Sequence, residues 1–291
     1  MTNTLAAPSD LLLRPLVEAA LREDIRSGDA TTTALIPATA TARALVKTRE
    51  DGVWCGSDVA RLAWSMLDET LRVSISKADG ETMRAGETPM RIEGGARAIL
   101  TGERVALNFA QRMSGIATLT QRFVAATTSS GAGAKQARIA DTRKTTPGLR
   151  LLEKYAVRCG GGSNHRFALD DLILIKDNHI AICGGIAPAI ARARSFAGHA
   201  MKIEVECDTL NQVEEAAQAG ADIILLDNMS ADELRQAVAI IGGRAMGEAS
   251  GGVNLETVGA IAQTGVDIIS VGALTHGARA LDLGLDIEIE A

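Results

Sequence analysis

From residue 137 onward the chain repeats a short apolar run, a turn and a stretch of helical periodicity, and this order constrains the fold more than any other feature of the sequence. The apolar runs predict strands at 138–141, 172–176, 202–206, 222–227, 245–250 and 267–272. Helices are expected between them, as at 209–219 and 231–241, where apolar residues recur at spacings of three and four. Strands that alternate with helices pair in parallel, and five or more such units in succession predict a closed barrel. The composition agrees. Aromatic residues make up only 2% of the 291-residue chain, so Ala, Val, Ile and Leu carry a 46% hydrophobic content, which suits helices packed on buried parallel strands.

The first hundred residues follow a different pattern. A helix is expected at 9–23, followed by short apolar runs at 42–47, 71–76 and 90–93 that are separated by turns such as Asp79-Gly80 and Ala85-Gly86. These predict a small α+β domain. A long helical pattern then runs through 99–127 and gives way to a polar, glycine-containing linker at 128–133. We place the domain boundary within 109–115, giving an N-terminal domain of residues 1–112 and an α/β barrel domain of residues 113–276. The segment 281–289 alternates apolar and polar residues at period two, so the C-terminal 277–291 is expected to rejoin the N-terminal domain as an edge strand.

Charge narrows the ligand. The net charge is -6, yet residues 141–150 concentrate three cations, Arg143, Lys144 and Arg150, in ten residues. A local cationic cluster in an acidic chain fits a small polyanion; a nucleic-acid surface needs broader basicity and stacking aromatics. No apolar run approaches the roughly 20 residues of a bilayer-spanning helix. The N-terminus lacks the basic and apolar regions of a secretory signal, so the cytoplasm is expected. Cys55, Cys159, Cys183 and Cys207 have neither metal-ligand nor redox spacing and read as isolated thiols.

Barrel active sites lie at the carboxyl ends of the strands. Here those ends carry Asp141 with Arg143 and Lys144, Lys176 with Asp177 and Asn178, Glu204 and Glu206, Asp227 with Asn228, Glu248 with Ser250, and Gly272. Any one of these endings has an ordinary reading as a cap, but six together supply cations, carboxylates and glycines to one mouth. Ser250-Gly251-Gly252 and Gly272 offer backbone N–H groups where a following helix would favour a phosphate. Glu206 and Asp227 could hold Mg²⁺ or sugar hydroxyls, and Glu204 shares the parity of Glu206, so the pattern alone does not choose between those two glutamates. The loop Gly160-Gly-Gly-Ser-Asn-His-Arg166 adds His165 and Arg166 as potential carboxylate ligands. There is no G-x-x-x-x-G-K-[ST] and no complete G-x-G-x-x-G, which argues against a nucleotidase loop and a dinucleotide fold.

Several ordered segments resemble the quinolinate phosphoribosyltransferase family. They are Glu23-Asp24 with Gly28-Asp29, residues 96–109, Ser114-Gly-Ile-Ala-Thr118, the Thr-Arg-Lys-Thr-Thr-Pro-Gly run, Asn164-His-Arg166, residues 174–179, Leu226-Asp-Asn228, Ser250-Gly-Gly252 and residues 270–276. The departures, Arg26, Ser27 and Gly277, lie outside the inferred ligand contacts. The resemblance implies an N-terminal α+β open-faced sandwich, a seven-stranded α/β barrel-like domain, and a homodimer whose subunits share active sites. The pattern itself supplies six of those strands. The implied reaction joins quinolinate to 5-phosphoribosyl 1-diphosphate with Mg²⁺, giving nicotinate mononucleotide, pyrophosphate and CO2 in de novo NAD biosynthesis.

Carried onto matching positions, the resemblance implies that Arg104 from a neighbouring subunit, Arg143, His165 and Arg166 bind the quinolinate carboxylates. It assigns Lys144 and Lys176 to the diphosphate and substrate carboxylates, Glu206 and Asp227 to the ribose hydroxyls and Mg²⁺, and Ser250, Gly251 and Gly272 to the 5-phosphate. Asp170-Asp171 precedes a strand, so it does not form the paired-acid loop of the commoner phosphoribosyltransferases. Two rival readings are a divergent relative of the kind associated with molybdate transport operons and a noncatalytic phosphosugar-binding module. The full set of cations counts against the first. The carboxylates Glu206 and Asp227, which anion binding alone does not need, count against the second.

Overall fold

The structure, a computed structural model, describes residues 5–128 and 136–288. Apart from Thr128, the expected linker lies outside these residues, as does Ile289 at the end of the expected C-terminal strand. In chain order the first elements are α1 (Asp10–Ile25), α2 (Ala30–Leu35), β1 (Thr41–Thr48), β2 (Gly52–Val53), α3 (Ser57–Ser65), β3 (Arg72–Ile75), β4 (Thr82–Met83), β5 (Met90–Gly95) and α4 (Ala96–Thr128). They continue as β6 (Arg138–Ala140), α5 (Arg150–Cys159), β7 (Ile173–Ile175), α6 (Asp177–Cys183), α7 (Ile186–Phe196), β8 (Ile203–Cys207), α8 (Leu210–Gln218) and β9 (Ile223–Asp227). The last are α9 (Ala231–Ile241), β10 (Met246–Ser250), α10 (Val258–Ala262), β11 (Ile268–Ser270), α11 (Ala273–His276) and β12 (Leu283–Glu288).

The chain divides into two compact units. One comprises Met1–Gln121, Thr145–Gly161 and Thr275–Ala291. Its antiparallel sheet has the order β12-β1-β5-β3, with Val46 opposite both Leu285 and Met90. The period-two C-terminal segment therefore joins the N-terminal sheet, burying Leu283 and half-burying Leu285 while Asp286 pairs with Lys47 at 2.9 Å. The expected junction at 112/113 falls inside α4, a helix that runs past the division between the units at Gln121.

The Ser114-Gly-Ile-Ala-Thr118 segment has a packing role in this unit. Ser114 Oγ accepts from Cys55 N–H at 3.0 Å, and Thr118 Oγ1 accepts from Val53 N–H at 2.9 Å, satisfying buried backbone groups around β2. A Cβ on Gly115 would sit 2.0 Å from the Arg279 carbonyl oxygen, so only glycine allows that close approach.

The other unit comprises Arg122–Lys144 and Gly162–Leu274. All six strands expected from the apolar runs form here, as one parallel sheet in the order β6-β11-β10-β9-β8-β7. The seventh strand implied by the resemblance is not among the described strands of this sheet; beyond the six, the chain makes a single parallel bridge between Ala140 and Ser163. The physical reason is local: Gly160-Gly-Gly-Ser-Asn has no apolar side chains with which to extend a buried strand. Arg166 Nη1 donates to the Leu172 carbonyl at 3.1 Å, so a side chain links this loop to the segment leading into β7. The helices start where the sequence caps them. Thr209 with Gln212 and Ser230 with Glu233 form reciprocal capping boxes ahead of α8 and α9.

Candidate active site

Along each barrel strand every second side chain points inward, and the parallel register aligns these positions across neighbours. Leu174 is level with Glu204, Leu225 with both Glu206 and Glu248, and Asp227 with Ser250. At the carboxyl ends Lys176, Glu206, Asp227, Ser250 and Ser270 line a cavity of about 300 Å³. Thr142, Arg143 and Lys144, just beyond β6, line the same cavity, as do His165 and Arg166 from the loop after Ser163. Nine residues singled out by sequence, Arg143, Lys144, His165, Arg166, Lys176, Glu206, Asp227, Glu248 and Ser250, thus share one cleft.

The loop carrying His165 and Arg166 is pinned from below by Asp141. This fully buried carboxylate accepts from the His165 N–H at 3.0 Å and from the Asn164 side-chain amide. Arg166 is drawn below its ordinary pKa, first by burial and next by the neighbouring Arg143 guanidinium. A guanidinium whose charge is disfavoured by a neighbouring one is suited to a ligand with more than one negative group, which would relieve the repulsion and match the planar forks.

Opposite them, Lys176 Nζ forms an ion pair with Glu206 Oε2, and the Asn228 side-chain amide donates to Asp227 Oδ2 at 2.7 Å. Asn228 adopts a left-handed φ of 55°, and its N–H donates to the Ser250 carbonyl at 2.9 Å. Gly251 beside it has φ 89°, and a Cβ there would lie 2.2 Å from Asn228 Oδ1. This loop therefore requires glycine for both its conformation and its space.

Other expectations change in detail. The first helix after Gly252 begins only at Val258, so the Ser250-Gly251-Gly252 turn does not lead directly into a helix. Gly272 does precede one, the single turn α11. His179 caps α6, its Nδ1 accepting from the Lys176 N–H at 2.9 Å. Asp171 accepts from the Phe167 and Ala168 N–H groups and so orders the loop before β7. Arg104 lies in the other unit, exposed on α4, with Glu103 3.7 Å away.

The glutamates that the sequence places at the strand ends lie at two depths. Glu204 and Glu248 are fully buried one inward position below Glu206 and Ser250, and both approach His165. Like-parity glutamates on two parallel strands were visible in the sequence; their depth was not. Burial, and then the charge of Glu204, push the Glu248 carboxyl up to about 7. A carboxyl whose pKa is higher in the folded than in the unfolded state binds more protons when folded. Its contribution to stability is therefore present below the unfolded value and lost as pH rises through about 7. Glu248→Gln should remove this dependence, raising the melting midpoint at pH 8 more than at pH 5. An equal shift at both pH values in thermal denaturation would contradict the assignment.

Residues 116–286 match the description "Quinolinate phosphoribosyl transferase, C-terminal domain", and residues 29–114 match the corresponding N-terminal domain. The chain is 43% identical over 283 residues to the Mycobacterium leprae nicotinate-nucleotide pyrophosphorylase (carboxylating), covering 94% of this chain and 96% of that protein. It is 41% identical over 297 residues to the chloroplastic Oryza sativa protein of the same name, covering 96% of this chain and 78% of that one. The Francisella tularensis nicotinate-nucleotide pyrophosphorylase structure superposes with a TM-score of 0.92 at 39% identity, covering 99% of this chain and all of that one.

Proposed function

The chain belongs to the quinolinate phosphoribosyltransferase family, and we propose that its cationic cleft transfers the phosphoribosyl group of 5-phosphoribosyl 1-diphosphate to quinolinate with loss of CO2. The product is nicotinate mononucleotide, on the route to NAD. The observation that carries this reading is the meeting of Arg143, Lys144, Arg166 and Lys176 with Glu206 and Asp227 in one cavity. A dicarboxylate and a diphosphate need several fixed cations, and a ribose with its metal needs carboxylates.

In this reading Arg143 and Arg166, with His165 beside them, hold the quinolinate carboxylates and orient the ring nitrogen toward the anomeric carbon. Lys144 and Lys176 face the diphosphate. As the bond to pyrophosphate breaks, the ribose gains oxocarbenium character and negative charge collects on the leaving group, where fixed ammonium groups stabilise it most. Ser250, Gly251 and Gly272 take the 5-phosphate, and Glu206 and Asp227 take the ribose hydroxyls.

The donor set fits Mg²⁺. Glu206 and Asp227 supply hard carboxylate oxygens at one cavity, suiting an ion bound through one or two carboxylates plus substrate phosphates. When bound, the ion adds charge neutralisation at the diphosphate. The proposed compartment is the cytoplasm, which four free cysteines, three of them buried, suit. No described helix is long and apolar enough to cross a membrane.

Calorimetry with the intact protein tests ligand choice. Quinolinate should bind about a hundredfold or more tighter than nicotinate, which lacks one carboxylate. Equal affinities would contradict the reading.

We assign Arg104 to the quinolinate site of a second copy of the chain, because it is an exposed cation on α4 and matches the family's shared-site pattern. Arg104→Ala and Lys144→Ala should each be inactive alone. Mixed under conditions that exchange subunits, they should recover about a quarter of wild-type activity, since half the dimers are mixed and each contains one intact site. No recovery despite subunit exchange would remove Arg104 from a shared site.

A further inference from the structure

Beneath the cleft, the His165 ring lies between two buried acids. Its Nε2 is 2.9 Å from Glu204 Oε2 and 3.5 Å from Glu248 Oε1. Its Nδ1 accepts from the Arg166 backbone N–H at 2.7 Å. A backbone amide can only donate, so Nδ1 is unprotonated and the ring proton resides on Nε2, facing the acids. That tautomer argues against a metal ion among His165, Glu204 and Glu248, although their ligand atoms lie within 4.8 Å of one another. A metal at Nε2 would displace that proton, and a metal-bound imidazole ordinarily donates its other N–H, whereas here Nδ1 accepts.

A positioning contact between the Glu204 carboxylate and the imidazole fits the geometry better. Glu204 is 0% exposed, neither of its oxygens has a hydrogen-bond donor aligned on it, and the imidazole is the one group within ion-pair distance of it among the described residues. A buried carboxylate with a single partner fixes that partner firmly, because every alternative leaves it unpaired at greater cost. The consequence reaches the mouth. With Nε2 tied to Glu204, the ring's Nδ1 edge holds the Arg166 N–H, and the Arg166 guanidinium extends from there to the Leu172 carbonyl and the cavity wall.

We propose that Glu204 is a positioning residue that acts through His165. By fixing the tautomer and orientation of the imidazole, it sets the place of Arg166 and so governs affinity for the dicarboxylate substrate alone. Lys176, Glu206 and Asp227, which face the diphosphate and ribose, are not in this linkage. Glu248 completes the pocket around the ring from β10.

The inference rests on the quinolinate reading, which wild-type turnover tests separately: no wild-type turnover defeats that reading, whereas the variants below test the linkage. Glu204→Gln keeps the shape of the side chain and removes its charge. It should raise KM for quinolinate about tenfold, the effect of losing a close buried contact to a charged group, and leave KM for 5-phosphoribosyl 1-diphosphate within about twofold. In a His165→Ala background the same substitution should have a much smaller effect on the quinolinate KM, because the path through the imidazole is broken and only the direct field of Glu204 at Arg166 remains.

An unchanged quinolinate KM, an equal rise in both KM values, or an undiminished effect in the His165→Ala background would each overturn the proposal. If Glu204→Gln fails to fold, Glu204→Asp, which keeps the charge and withdraws it from the imidazole, carries the test: a rise confined to the quinolinate KM supports the linkage, and an unchanged quinolinate KM overturns it.

Discussion

Lys144→Ala should lower turnover by about 10²- to 10³-fold while the protein stays folded. The side chain is exposed at the rim of the cavity, immediately beyond β6, and its backbone N–H donates to Thr142 Oγ1 at 3.1 Å, a bond the substitution retains. An exposed substitution of this kind changes stability by roughly 0.5 kcal/mol or less. The loss should therefore fall on the chemical step, where an ammonium aimed at the departing pyrophosphate is worth most. Steady-state kinetics beside circular dichroism and thermal denaturation would check this. Wild-type turnover in a folded variant would remove Lys144 from charge stabilisation.

The second large effect belongs to Arg166. Arg166→Ala should weaken quinolinate binding by about 2–5 kcal/mol, the range for truncating one partner of a desolvated charge pair. Arg166→Lys should restore little of it. An ammonium can supply the charge but not the planar fork, which in this protein also holds the Leu172 carbonyl. Isothermal titration on all three proteins measures this. Near-wild-type affinity in the lysine variant would mean that only net charge matters, against the bidentate geometry.

Much of this arrangement was legible in the sequence because the barrel strands are buried and bounded by polar ends. The runs at 202–206 and 222–227 fixed both a strand and the direction of its inward residues, which is how Glu206 and Asp227 could be named before any coordinates. Periodicity gives direction but not depth. It could not separate Glu204 from Glu206, although one lies in the core against His165 and the other pairs with Lys176 at the mouth. The bridge at Ser163 was invisible for another reason: it carries no apolar pattern and is held by hydrogen bonds, including Asp141 N–H donating to the Ser163 carbonyl at 3.2 Å. The Ser114 to Thr118 segment carries part of the family resemblance, yet its two hydroxyls serve backbone groups of Val53 and Cys55. Recognition does not distinguish packing from chemistry; only the partners of each side chain do.

The central claim is that one cleft couples phosphoribosyl transfer to decarboxylation. The direct measurement incubates the wild-type protein with Mg²⁺, 5-phosphoribosyl 1-diphosphate and quinolinate, and follows pyrophosphate and CO2 together. The predicted result is equimolar release of both, with nicotinate mononucleotide as product and no pyrophosphate when nicotinate replaces quinolinate. Absence of pyrophosphate with quinolinate, or its release without CO2, would contradict the account.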